Sequence, residues 1–141
     1  MSDQELIDAA IAPTVAFNEG DWDKVRETLT EDFVYDEVLT NRRTDGAKDT
    51  MELWKGWRRA FPDIHGDIIN AFTGDGKVVT EMRWRATNTG PLPMPNGEIP
   101  ATGKSVDFRS CQVWSIENGK CKSMVHYIDM INMMQQLGVS L

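Results

Sequence analysis

Apolar positions along the chain follow two different periods. Between residues 4 and 18, Leu6, Ile7, Ala10, Ile11, Val15 and Phe17 recur at three- and four-residue steps, as on a helix with one buried face. Pro13 lies inside this stretch, so a kink or a break is expected there. Asn18-Glu19-Gly20 ends it with Gly20 as a left-handed cap, and Asp21 can cap a second helix reaching about Leu29. Residues 33–40 read as a strand. A third helix is predicted from about Ala47 to Ala60, with Met51, Trp54, Trp57 and Phe61 as its stripe and Pro62 as its stop.

From residue 64 onward the pattern is that of strands. Ile64–Phe72 and Lys77–Thr89 flank Gly74-Asp75-Gly76, a hairpin turn signal. Pro91, Pro93, Pro95 and Pro100 mark a loop that cannot be a central strand. Ser105–Glu117 and Lys120–Asp129 form a second hairpin around Asn118-Gly119, and Ile131–Leu137 a short terminal helix. Helices first and long strands afterwards predict an α+β domain, with helices on one face of an antiparallel sheet.

The turn residues also set a pairing. A two-residue turn at Asn118-Gly119 pairs Glu117 with Lys120 and Ile116 with Cys121. Carried along the strands, it puts Trp114 opposite Ser123, Gln112 opposite Val125, Ser110 opposite Tyr127 and Phe108 opposite Asp129. One face then carries a carboxylate, a phenol, an amide and two aromatic rings, the composition of a ligand pocket. Cys111 pairs with His126 on the other face. Cys111 and Cys121 fall on opposite faces and cannot bridge within one chain. The first hairpin pairs Ile69 with Met82, Asp67 with Trp84 and His65 with Ala86. If the Met82 and Trp84 face is concave, His65 joins them in the pocket.

The 141 residues suit a single domain, 1–141. A net charge of −7 argues against a binder of nucleic-acid backbone. No run of about 18 apolar residues predicts a membrane helix. Met-Ser-Asp-Gln-Glu has neither the basic start nor the apolar stretch of a signal peptide, and free thiols suit a reducing compartment, so a cytoplasmic location is expected. Two histidines on separate hairpins give no metal-ligand spacing. Phosphate loops, dinucleotide fingerprints and Ser-His-Asp spacings are likewise missing from the pattern.

Several strings, in order, resemble the SnoaL-like polyketide cyclase family of the nuclear transport factor two-like superfamily. They are Asn18-Glu19-Gly20-Asp21-Trp22-Asp23, Phe61-Pro62-Asp63-Ile64-His65, Ala101-Thr102-Gly103-Lys104-Ser105-Val106-Asp107-Phe108, Glu117-Asn118-Gly119-Lys120, and Asp129 followed by Gln135-Gln136-Leu137-Gly138. The resemblance implies a cone-shaped, half-open antiparallel sheet with three helices from the N-terminal half on its concave side. It implies aldol cyclisation without metal or organic cofactor, and an acid/base aspartate at the end of the last long strand, by position Asp129. Isomerase or lyase chemistry on a hydrophobic carbonyl compound fits the same outline.

The resulting expectation names Asp129 and Gln112 as catalytic, and Tyr127, Trp84, Met82, His65, Phe108 and Trp114 as substrate-binding. Asp129 is equally placed to cap the terminal helix. Asp36 and Glu37 form a second carboxylate candidate, since ketosteroid isomerase in the same superfamily uses a first-strand acid. His126 is expected in a core or interface. Glu81-Met82-Arg83-Trp84-Arg85 lacks the Asp after Arg that epoxide hydrolases on this fold use. The loop 90–103 is expected to be a stiff flap presenting Met94 and Ile99. Cys111, Val113, Met124 and Ile128 on the outer face predict a homodimer. A non-catalytic binding or assembly module is the alternative to an enzyme.

Overall fold

The computed structural model describes residues 1–140. Helix α1 (Asp3–Glu19) starts on a reciprocal capping box between Ser2 and Glu5 and ends at Gly20 with φ 69°. It runs through the buried Pro13 without interruption, where a kink or break was expected. Asp21 caps α2 (Trp22–Thr28) by accepting from the Lys24 N–H. The chain continues into β1 (Leu29–Glu37) and the short β2 (Arg42–Asp45), an element the sequence pattern did not single out. Helix α3 (Ala47–Ala60) follows, and buries Trp54 and Trp57 as its stripe predicts.

The second half supplies β3 (His65–Gly74), β4 (Lys77–Thr87), β7 (Ser105–Glu117), β8 (Lys120–Ile128) and the terminal α4 (Met130–Leu137). The six long and short strands of the main sheet lie in the order β2-β1-β8-β7-β4-β3. All neighbours are antiparallel except β1 and β8, which run parallel because the chain leaves β1 and returns only at its end. The sheet is not closed. Helices α1 and α3 pack on one face, α1 against β3, β4, β7 and β8 and α3 against β1. The large inward side chains Phe33, Phe61, Trp114 and Met133 are fully buried between the layers. No helix is long and apolar enough to cross a membrane.

The proline-rich segment is not a bare loop. It folds into a two-stranded hairpin of its own, β5 (Leu92–Met94) and β6 (Gly97–Ile99). Asn88, fully buried, closes its base: its amide donates to the Ala60 and Gly90 carbonyls and accepts from the Thr102 N–H. Leu92 is buried, while Met94 and Ile99 pack half-buried against the core.

Two bulges decide which side chains face inward. In the β7–β8 hairpin, Glu117↔Lys120 and Ile116↔Cys121 pair as the turn predicts, but the next pair is Ser115↔Ser123. Lys122 is the extra residue. Beyond it every partner moves by one: Trp114 faces Met124, Gln112 faces His126 and Ser110 faces Ile128. A one-residue slip turns the rest of the strand over. In the β3–β4 hairpin Ile69 is the extra residue, and His65 pairs with Arg85 instead of Ala86.

Candidate functional site

A narrow cavity opens between the helices and the inner face of the sheet, with about 50 Å³ of it open to a water-sized guest. Helix α1 contributes Pro13, Thr14 and Phe17, and α3 contributes Trp54 and Trp57. The sheet contributes Tyr35, Trp84, Phe108, Gln112, Trp114, Met124, His126 and Ile128. The rings interlock edge to face: Tyr35 meets Trp54 at 5.5 Å and Phe17 meets Trp84 at 5.9 Å between centroids. The wall is almost wholly apolar, so its few polar atoms carry the chemistry.

Those atoms form two hydrogen-bond chains, and the groups at their ends set the direction. An indole N–H can only donate, and an ionised carboxylate can only accept. The first chain starts at Trp84, whose Nε1–H donates to Ser110 Oγ at 2.8 Å. At the other end the Tyr35 hydroxyl donates to Glu37 Oε2 at 2.6 Å, so it accepts from His126 Nδ1–H (2.7 Å). With the buried imidazole neutral, Nε2 is left to accept from the Ser110 hydroxyl (2.9 Å). The neutral ring thus carries its proton on Nδ1. The second chain runs from Trp114 Nε1–H to Thr80 Oγ1 (3.1 Å) and from the Thr80 hydroxyl to Gln112 Oε1 (2.8 Å). That fixes the Gln112 amide. Its carbonyl is occupied, and its NH2 group is the free donor on the cavity wall.

The electrostatics agree with this direction. Burial pushes the His126 imidazole down to about 4, against a smaller opposite pull from Glu37. Burial alone would raise the Glu37 carboxyl. The charge of Arg42 and hydrogen bonds from Thr40, Tyr35 and Arg42 outweigh it and hold Glu37 below the usual carboxylate range. Arg42 donates to Glu37 Oε1 from Nη2 at 2.7 Å and from Nε at 3.1 Å. Thr40 adds a hydroxyl at 2.5 Å and Trp57 an indole N–H at 3.3 Å. Burial and the Glu37 charge raise the Tyr35 phenol well above its ordinary value, so it stays protonated.

The eight residues expected at the site separate. Trp84, Phe108, Gln112 and Trp114 line the cavity. Met82 faces inward and is fully buried, but lies off the cavity wall. Asp129, Tyr127 and His65 are not in it. The Lys122 bulge turns Tyr127 to the outer face, half-exposed. Asp129 lies past the end of β8 and caps α4, its Oδ1 accepting from the Asn132 N–H at 3.2 Å. His65 is exposed at the start of β3 and pairs with Asp67 at 3.2 Å. His126, expected on the opposite face, sits in the cavity wall. Of the adjacent acids in β1, Glu37 is the one that faces inward. Met124 and Ile128 also change sides, so the outer face of β8 carries Ser123, Val125 and Tyr127 instead. The thiols are free: Cys111 points outward, and Cys121 is buried against the Ala9 carbonyl.

An open α+β sheet wrapped around an aromatic cavity defines the nuclear transport factor two-like class of fold. Within that class, the SnoaL-like polyketide cyclase family model matches residues 8–137, and this chain belongs to that family. Solved structures agree on the fold. A proposed SnoaL-like polyketide cyclase from Jannaschia sp. CCS1 superposes with a TM-score of 0.86 at 18% identity, over 99% of this chain and 95% of that one. TsrD from Streptomyces laurentii gives 0.83 at 18% identity, over 99% of each chain. An LEH-like epoxide hydrolase of M. tuberculosis gives 0.75 at 22% identity, over 96% and 90%. Among curated protein sequences there is no significant match.

Proposed function

We propose that this protein is an acid–base enzyme for a neutral, hydrophobic carbonyl compound, with His126 as the base and Gln112 as the oxyanion donor. The observation that supports it is the pair of directed hydrogen-bond chains ending in an apolar cavity. His126 Nε2 takes a proton from the carbon beside the carbonyl as the Ser110 hydroxyl gives way. The imidazolium that forms keeps its Nδ1–H on Tyr35 and is paired through Tyr35 with the Glu37 carboxylate. The free NH2 of Gln112 donates to the developing enolate oxygen. The enolate carbon can then attack a second carbonyl of the same molecule and close a ring. Reprotonation elsewhere would make an isomerase, and expulsion of a leaving group a lyase. Trp84, Phe108 and Trp114 serve as walls in this reading, and Asp129 acts as a helix cap.

Exchange of α-protons for deuterium in ketones and β-keto esters tests the base without the natural substrate. The wild type should accelerate exchange, and His126→Phe should lose about 10²–10⁴-fold of that acceleration. Gln112→Leu should also slow it, and Asp129→Asn should leave it unchanged. Exchange that survives His126→Phe, or that is abolished by Asp129→Asn, would overturn this assignment. Tight binding of such compounds with no exchange at all would favour a ligand-binding module. That every polar atom of the first chain is already satisfied within the protein is the observation on that side.

We also propose that two copies pair through the outer face of the sheet. Phe72 and Tyr127 are half-exposed there, with Val113 and Val125 between them. The same face carries Arg83 paired with Asp107 and Arg85 paired with Asp67, both signs together, which suits self-pairing.

A further inference from the structure

Arg42 touches two things that are far apart in sequence. Nε and Nη2 grip Glu37 Oε1, the acceptor end of the chain that holds His126. Nη1 donates to the Pro93 carbonyl, in the first strand of the β5–β6 hairpin, at 3.2 Å. The guanidinium lies over the Trp57 ring at 5.9 Å, and its Nε also approaches Thr40 Oγ1 at 3.3 Å. All three of its nitrogens are therefore engaged. The Arg42 side chain is 18% exposed and that of Glu37 is 0% exposed. Arg42 is the only cation against this carboxylate among the described residues; its other neighbours are Tyr35, Thr40 and Trp57.

We propose that Arg42 is a positioning residue that ties the β5–β6 hairpin to the direction of the His126 chain, so that seating the hairpin arms His126 as a base. This rests on the reading of His126 as the base. With the hairpin seated, the Pro93 carbonyl holds the guanidinium on Glu37, and the carboxylate stays ionised. Tyr35 must then donate to Glu37, and His126 must carry its proton on Nδ1 with Nε2 free to accept. With the hairpin lifted, Nη1 loses its partner and the guanidinium can turn to water. A buried carboxylate without its cation takes up a proton. One proton then enters from water at Ser110, each hydrogen moves one bond along, and one arrives on Glu37. The chain now runs from Glu37 through Tyr35 to His126 Nδ1. The imidazole keeps one proton, now on Nε2, where it can no longer accept from substrate. The base is thus armed only under a closed hairpin.

The tautomer of His126 can be read directly from ring ¹⁵N–¹H correlation spectra of the full-length protein at neutral pH, with no substrate present. The wild type should carry the Nδ1–H form. Arg42→Met should move it to Nε2–H, and Arg42→Lys, which keeps the charge, should restore Nδ1–H at least in part. Replacing residues 93–98 by a Gly-Ser turn, which removes the Pro93 tie and leaves Arg42 in place, should bring in a measurable Nε2–H share. If Arg42→Met fails to fold, the hairpin replacement alone decides. A hairpin-replaced protein with the unmixed Nδ1–H form of the wild type would overturn the coupling, as would an unchanged tautomer in folded Arg42→Met. The two readings fail separately. If His126→Phe spares exchange while the tautomer follows Arg42 and the hairpin, the coupling stands and the catalytic assignment falls.

Discussion

Gln112 and His126 stand directly opposite one another across the β7–β8 hairpin, side by side on the cavity wall. One offers an unpartnered N–H donor, and the other a ring nitrogen whose only partner is a movable hydroxyl. An enolate needs both within one substrate's reach: a base at the carbon and a donor at the oxygen. Neither orientation is left to chance. Trp114 through Thr80 fixes the amide, and Trp84 and Glu37 at the two ends fix the imidazole.

With Lys122 present, that juxtaposition requires the bulge. Deleting Lys122 would remove the extra residue and leave Ser123 opposite Ser115, so Met124, His126 and Ile128 keep their inward places. The expected cost is small, about 1 kcal/mol or less, because no inward side chain is lost. Lys122→Ala should change stability little, since that side chain is exposed and pairs only with Glu117 at the surface. Denaturant melts of the two variants check this. A deletion variant that loses more than about 3 kcal/mol relative to the substitution would mean that the strand cannot keep this register without the bulge.

The helices and the two long hairpins were legible because each rests on a period, a cap or a turn: the Trp54–Trp57 stripe, Gly20, and Asn118-Gly119 with its first two pairs. The site was not, because a bulge at Lys122 carries no glycine and no turn motif. Its trace lay elsewhere. Reading on from the turn without a bulge put Met124 and Ile128 outward, which made the outer face too apolar for water. The apolar spacing of Cys121, Met124 and Ile128, a step of three followed by even steps, is what a bulged strand leaves in a sequence. Glu37 was hidden for a different reason. Its burial depends on Arg42 arriving from β2, a four-residue strand with no apolar pattern of its own.

Glu37 and Arg42 should behave as a coupled pair. Glu37→Leu leaves the Tyr35 hydroxyl without its acceptor and a part-buried guanidinium without its anion, with an expected cost of about 3–5 kcal/mol. Glu37→Leu combined with Arg42→Met should recover part of that loss. Urea unfolding of the four species of the double-mutant cycle measures it. Strict additivity would mean that the two side chains do not depend on one another.

Gly66 gives a test of the Trp84 end of the chain. A Cβ at this position would lie 2.6 Å from the Trp84 ring, and the Gly66 backbone is clasped on its other side by Asn18 in two hydrogen bonds of 2.9 Å. The strand cannot retreat, so the indole must. Gly66→Ala is expected to destabilise by about 1–3 kcal/mol and to weaken the Trp84–Ser110 bond. A tryptophan emission spectrum and melting temperature matching the wild type would show that Trp84 has room to move.

Pairing through the outer face predicts twice the monomer mass by light scattering at tens of micromolar. Val113→Asp combined with Tyr127→Asp should halve it while sparing the fold, since both side chains point away from the cavity. A wild-type monomer would sink the dimer, and a dimer that survives both substitutions would put the interface elsewhere.

Burial of His126 should also appear as a pH dependence of stability. The imidazole is depressed to about 4 in the folded chain and returns to 6.5 when unfolded. Below pH 6.5 the unfolded chain therefore binds a proton that the folded chain refuses. Stability is complete above pH 6.5, falls as pH drops toward 4, and levels off below that as far as this group is concerned. At about 1.4 kcal/mol per pH unit the span is worth on the order of 3 kcal/mol. Glu37 is depressed as well, but it adds its own loss only below its unfolded value of 4.5. The window between pH 6.5 and 4.5 thus isolates the histidine from the carboxylates. The exposed His65 is common to wild type and variant, so their difference removes any contribution it makes. Urea midpoints measured at half-unit steps should slope downward across that window in the wild type. In His126→Phe the slope should be nearly flat, whatever the variant's absolute stability. Equal slopes in the two proteins would mean that His126 takes up its proton in the folded state, and that burial does not hold it neutral.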